Sequence, residues 1–280
     1  MFILTKKRLL ILSMSVFMMG CDSSEDSTEG WYEDVYFEHP EMKACFIESA
    51  KTQNWSSVDD VTGFYCHHKD IDSIVGIEQF ENLTDLQLGG TALKEINLSG
   101  NPLLDHVVIH GNPLLKSVDF SSNVELTNVY VYDNVIEEVN LSSLPKLHTA
   151  YFFKNRIKEI NLDGTDIEFL NLQHNSIEEI DLSNARSIRE LILSYNPLTQ
   201  IDLSNLHDLR ALFIIDTEVD KLDVSFNWEL SSLSLMENKI ENIRFDNNPS
   251  LTRVNIEGNP LDIETLDYLS TIDWIEDLSF

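Results

Sequence analysis

The chain has 280 residues, 42% of them hydrophobic, and carries 19 basic against 48 acidic side chains, a formal net charge of −29. That sign argues against nucleic acid and anionic lipid headgroups as partners, since both select a cationic face. It leaves a solvated acidic surface, or one that attracts a cationic partner, and the apolar share suffices for a packed core.

Lys6, Lys7 and Arg8 precede an apolar stretch from Leu9 to Met19, and Gly20-Cys21 closes it. The stretch is short for a bilayer span. Residues 1–20 therefore read as a bacterial signal peptide. The junction resembles a lipobox, in which Cys21 is lipidated and becomes the mature N-terminus, with Met18 standing where leucine is usual. Asp22 looks like the inner-membrane retention residue of enteric bacteria. Asp22 to Glu29 hold four carboxylates, three serines and a threonine, too polar to bury a core, so residues 21–35 are expected to be an acidic tether. The resemblance implies an exported protein of the bacterial envelope, attached to a membrane by lipid alone.

Residues 36–60 are expected to form an N-terminal helical cap. Pro40 can open a short helix that sets Met42, Cys45, Phe46 and Ala50 near one side. With Cys21 assigned to lipid, the other two cysteines are Cys45 and Cys66, and an oxidising compartment favours a disulfide between them. The rival is a metal site on Cys66, His67 and His68, but adjacent strand residues point to opposite faces.

From Val61 the chain repeats itself. The first apolar residue of an L-x-x-L-x-L-x-x-N string recurs at Val61, Leu83, Leu104, Leu126, Leu147, Ile167, Ile188, Leu209, Leu230 and Leu251, at gaps of 20 to 22 residues. A period held ten times is the mark of a solenoid whose repeats touch only their neighbours. Positions four and six (Leu86 and Leu88, Val129 and Val131, Leu212 and Ile214) alternate inward as a strand core should. Position nine is asparagine at 112, 134, 155, 175, 196, 238 and 259, with Thr91 and Thr217 as substitutes; an amide there can satisfy a buried turn. The second half repeats the theme, as in Ile157-x-x-Ile160-x-Leu162, and Asn101, Asn123, Asn227 and Asn248 reproduce the asparagine. With no 3.6-residue stripe, the convex side should be extended rather than helical.

This pattern resembles the bacterial leucine-rich repeats of 21 residues with a nested half-repeat (IRREKO-type), over residues 61–261. The stretch around Phe64-Tyr65-Cys66 and Ile77-Glu78-x-Phe80-x-Asn82-Leu83 is similar to the cap and first repeats of internalin-like surface proteins. The implied fold is an α/β repeat solenoid: a right-handed superhelix with a curved parallel β-sheet on its concave face and short helical caps. Residues 262–280 are expected to close it, with Ile263, Leu266 and Leu269 lining a helix and Ile275-x-x-Leu278-x-Phe280 restoring a strand.

Catalytic constellations are missing from the sequence: it has no G-x-S-x-G, no H-E-x-x-H and no glycine-rich phosphate loop. No enzyme, cofactor or metal site is expected. His106 and His110 share a strand face but stand about 13 Å apart, too far for one ligand. The outward positions of the strands are instead unusually apolar. Tyr130, Tyr132, Tyr151, Phe153, Phe169, Ile192, Tyr195, Phe213, Ile215 and Met236 form a band rimmed by Asp133, Lys154, Glu190, Asp216 and Glu237. Such bands mark binding faces, although cross-strand packing is the other use of outward aromatics.

The expectation is a monomer that binds a protein on this face, a cationic partner being one that the charge would suit. Adhesion or envelope interaction is what the internalin resemblance implies. A structural role in the envelope, or glycan binding by the aromatics, is the alternative. Lipidation is open to direct test: Cys21→Ser should yield a soluble or unprocessed form while the wild type partitions into detergent, and equal solubility would overturn it.

Overall fold

The structure, a computed structural model, describes residues 30–67 and 70–280; the leader, Cys21, the tether to Glu29, and His68 lie outside the described residues. The end of the expected tether is packed rather than free. Trp31–Glu33 form a 3-10 turn, the Trp31 indole N–H donates to the Trp55 carbonyl at 3.0 Å, and Val35 is buried. Unlike the polar run before them, these residues have apolar surface to lose.

Helix α1 (Pro40–Gln53) starts where Pro40 fits the first helical position and His39 Nδ1 accepts the Glu41 N–H. It stops at Asn54, which turns left-handed at φ 56°. Met42, Phe46 and Ala50 form its buried side. Phe46 meets Phe37 and Phe80 at ring centroids of 5.4 and 5.1 Å, and Phe64 closes the cluster against Phe80 at 6.1 Å. Cys45 and Cys66 are disulfide-bonded across a sequence separation of 21, tying α1 to the first strand. By loop-closure entropy that link contributes about 3 kcal/mol.

The strands are β1 (Gly63–His67), β2 (Asp85–Gly89), β3 (His106–His110), β4 (Asn128–Tyr132), β5 (Glu138–Asn140), β6 (Thr149–Tyr151) and β7 (Glu159–Asn161). They continue as β8 (Phe169–Asn171), β9 (Glu190–Ile192), β10 (Ala211–Phe213), β11 (Ser232–Ser234), β12 (Arg253–Asn255) and β13 (Asp277–Ser279). Eleven form one parallel sheet in chain order, omitting β5 and β7, which pair with each other. The register sets equivalent residues side by side, Leu191, Leu212 and Leu233 for example. Positions four and six are buried throughout. On the convex side the chain is extended, and Asn97 bridges to Asp119.

The turn after each strand is buried. Asn134, Asn155, Asn175, Asn196, Asn238 and Asn259 each donate Nδ2–H both to a carbonyl of their own strand region and to one in the preceding repeat. In Asn155, Asn175, Asn196 and Asn259, Oδ1 accepts a backbone N–H of the preceding repeat. Thr91 and Thr217 enter the same ladder through hydroxyls that donate to Asn112 and Asn238. Position eight, just before, takes left-handed backbone: φ is 53° to 60° at Asp133, Lys154, His174, Tyr195, Asp216 and Glu237, with Gly90, Gly111 and Gly258 in three other repeats. The half-repeat asparagines Asn101, Asn123, Asn227 and Asn248 also span repeats through Nδ2. A third device is the turn in which an Asp stands two residues before a serine: Asp119, Asp181, Asp202 and Asp223 accept the N–H two residues on, and the serine contacts hold these carboxyls below their usual pKa.

Helix α2 (Ile263–Ser270) and strand β13 close the far end. The expected helix face is rotated. Thr265 and Leu269 are buried, whereas Ile263 is 79% and Leu266 39% exposed. Tyr268 decides the phase: its hydroxyl accepts the Phe245 N–H at 2.9 Å, and the Arg244 guanidinium lies 4.4 Å from its ring centre.

Asn196→Ala would strip two buried backbone groups, the carbonyl of Leu193 and the N–H of Ile177, of their partners, while the Leu172 carbonyl keeps the Asn175 amide. At about 1–3 kcal/mol for each orphaned group, chemical denaturation should show a loss of several kcal/mol.

Candidate functional site

Parallel pairing in register turns the outward positions into rows that cross the sheet. The row at position five runs Tyr65, Gln87, Val108, Tyr130, Tyr151, Asn171, Ile192, Phe213. Strands lie about 4.8 Å apart, so planar side chains on neighbours touch. Tyr130 meets Tyr151 edge-on at 5.2 Å, and Tyr132 stacks on Phe153 at 4.6 Å. These four rings make two parallel rows, because contacts run across strands, not along them.

The second row carries its ring contacts back to β1. His110 stacks on Tyr132 at 5.1 Å, and His67 meets His110 at 5.4 Å. His106 adds to the first row beside Tyr130 at 5.3 Å. At position eight Tyr195 stacks on His174 at 4.3 Å. Of the ten residues expected on this face, Phe169 and Tyr195 are exposed, at 36% and 39%, and the others are half-buried. Burial pushes the phenols of Tyr130 and Tyr151 above their usual pKa. At the sheet's start the Tyr65 hydroxyl donates to Asp85 at 2.8 Å, and burial with this bond pushes its pKa up to about 12.

Glu190 is not on the rim. It occupies position three of β9, between Phe169 and Ala211, and its charge is felt at Tyr151. Its carboxylate has no hydrogen-bond or ion-pair partner among the described residues, and burial raises its pKa. Arg189, the adjacent cation, is engaged with Glu168 at 2.8 Å. A partly desolvated carboxylate without a partner carries an uncompensated desolvation cost. The sequence signal was its position in the repeat: register, not polarity, places it inside the band.

Among the described residues no helix is long and apolar enough to cross a membrane, and no group of three or more His, Cys, Asp or Glu could hold a metal ion. Cys66 is committed to its disulfide, so the three-residue metal grouping at Cys66, His67 and His68 does not form.

No family model matches the chain, and no curated protein is similar to it. Solved structures resemble its fold. The functional domain of InlJ from Listeria monocytogenes is 21% identical with a TM-score of 0.57, covering 72% of this chain and 55% of that one. An internalin, inlF, from the same species is 20% identical with a TM-score of 0.58, over 82% of this chain and 80% of that one. YopM from Yersinia enterocolitica is 19% identical with a TM-score of 0.65, over 79% and 46%. The chain thus spans about half the length of the InlJ domain. The fold is a leucine-rich repeat solenoid like that of the internalins.

A carboxyl whose folded pKa is raised favours the fold fully below its unfolded pKa and loses that contribution as pH rises through the folded value. Glu190→Gln should therefore gain thermal stability over the wild type at pH 7 and lose that advantage at pH 4. Equal differences at both pH values would mean the carboxylate is well solvated.

Proposed function

We propose that this is an exported, lipid-anchored protein of the bacterial envelope that binds a cationic segment of another protein on its sheet face. It is read as a member of the 21-residue nested repeat class, acting by adhesion or envelope interaction rather than by catalysis. The observation that carries the reading is Glu190, an unpaired, partly buried carboxylate between Phe169 and Ala211 and close to Tyr151. A lysine or arginine laid there gains both a charge partner and aromatic faces. The formal charge of −29 steers such a partner from a distance. The stacked rows of Tyr132 on Phe153 and Tyr130 on Tyr151 supply the apolar contact around it.

Glycan binding is the second reading, favoured by Tyr195 presenting an exposed ring stacked on His174. Salt separates the two. Raising ionic strength from about 0.1 M to about 1 M shortens the screening length from about 10 Å to about 3 Å; a cationic protein partner is lost, while a sugar stays.

Capture from envelope extract by the detergent-solubilised full chain tests the face. Tyr132→Ala with Phe153→Ala should abolish capture, and Glu190→Gln should weaken it. Both should leave the thermal midpoint within a few degrees. Phe152→Ala is the folding control, since Phe152 is buried and its loss costs roughly 3–5 kcal/mol. If the aromatic double variant unfolds as readily as Phe152→Ala, the rows are packing and the reading fails.

A further inference from the structure

At position seven, β1, β2 and β3 present His67, Gly89 and His110 side by side. Strands two apart are separated by about 9.6 Å, too far for upright imidazoles to meet. Yet these rings are 5.4 Å apart at a tilt of 38°. Both lean over the glycine between them, which is buried beneath them. Their nitrogens converge. Where a Cβ on Gly89 would stand, His110 Nε2 is 2.5 Å away and His67 Nδ1 is nearer still. Two nitrogens within 2.5 Å of one point are no more than about 5 Å from each other. In a tetrahedral zinc site, nitrogens at 2.0–2.1 Å from the metal stand about 3.3 Å apart.

We propose that His67 Nδ1 and His110 Nε2 bind a divalent transition cation of the zinc, nickel or copper(II) class above Gly89, on the solvent side of the sheet. Imidazole donors select those ions over magnesium and calcium, which take oxygen ligands. Tyr132, stacked on His110 at 5.1 Å and 5° between planes, fixes the orientation of one ligand. The disulfide at Cys66 anchors the strand that carries the other. Among the described residues no third His, Cys, Asp or Glu joins the pair, and Asp85 is engaged by Tyr65. The remaining coordination positions therefore face outward, open to water or to a donor atom of a bound molecule.

The test is calorimetric titration of zinc chloride into the full-length protein, with magnesium in excess to occupy the diffuse acidic surface. Wild type should show a site that weakens at least about tenfold in His67→Ala, His110→Ala and Gly89→Ala, and is unchanged in the control His207→Ala. Gly89→Ala is the sharpest variant: it keeps both histidines and inserts a methyl group where the nitrogens converge. Its φ is not left-handed, and the atoms it would displace are the ends of side chains, so it should fold. Nickel added to the wild type should also broaden the imidazole resonances of His67 and His110 first. Zinc isotherms that are the same in all variants, or broadening that begins at other histidines, would overturn the site.

Discussion

After every strand the chain must turn inside the structure, and the amides and carbonyls of that turn are beyond the reach of water. A helix would satisfy them within itself; here the convex side is extended and cannot. The asparagine at position nine meets the need by committing two donors and an acceptor to backbone, some of it in the repeat before. Asn196 bonds Leu193 at home and Leu172 and Ile177 in its neighbour. Because a buried N–H or C=O without a partner is costly, repeats hold together through peptide groups as much as through leucines. Coupling of this kind is nearest-neighbour by construction. It explains why both ends carry dedicated closures: a disulfide and a phenylalanine cluster at one, α2 and β13 at the other.

Because the inward side is fixed by that ladder and by the leucines, the outward side is released from structural duty. Rows there form by register alone, and they contain whatever each repeat supplies. Tyrosine, phenylalanine and histidine occur on adjacent strands, so rings stack. A glutamate stands among them, so a charge is partly stripped of water. Neither arrangement is required by the fold, which accepts residues such as Gln87 and Ser234 at the same outward positions.

Much of this was legible in the sequence because the signals were local or periodic. The ten anchors, positions four and six, the position-nine asparagines, α1 and the cysteine pair all follow from spacing and side-chain chemistry. Three features did not. Helix α2 is phased by Tyr268 on the Phe245 N–H, and a ranking by apolarity places Ile263 and Leu266 ahead of a tyrosine. Glu190 reads as rim by its charge, whereas register puts it beside Phe169. The histidine pair is invisible along any one strand: His67 and His110 meet because Gly89, one repeat away from each, leaves the space open. In each case the deciding contact lies across repeats, where a linear reading has no distance.

Position eight carries a further meaning. Left-handed backbone costs a residue with a side chain about 1–2 kcal/mol relative to its ordinary conformation, and glycine escapes that penalty. Where only a change of chain direction is needed, glycine serves, as at Gly90, Gly111 and Gly258. Six consecutive repeats instead keep Asp133, Lys154, His174, Tyr195, Asp216 and Glu237 in that conformation, all of them exposed. In none of these side chains is the strain offset by burial. Conformational strain thus traces its own outline on the surface, along the edge of the central strands from β4 to β11, and that edge is where the chain gives up stability to display chemical variety.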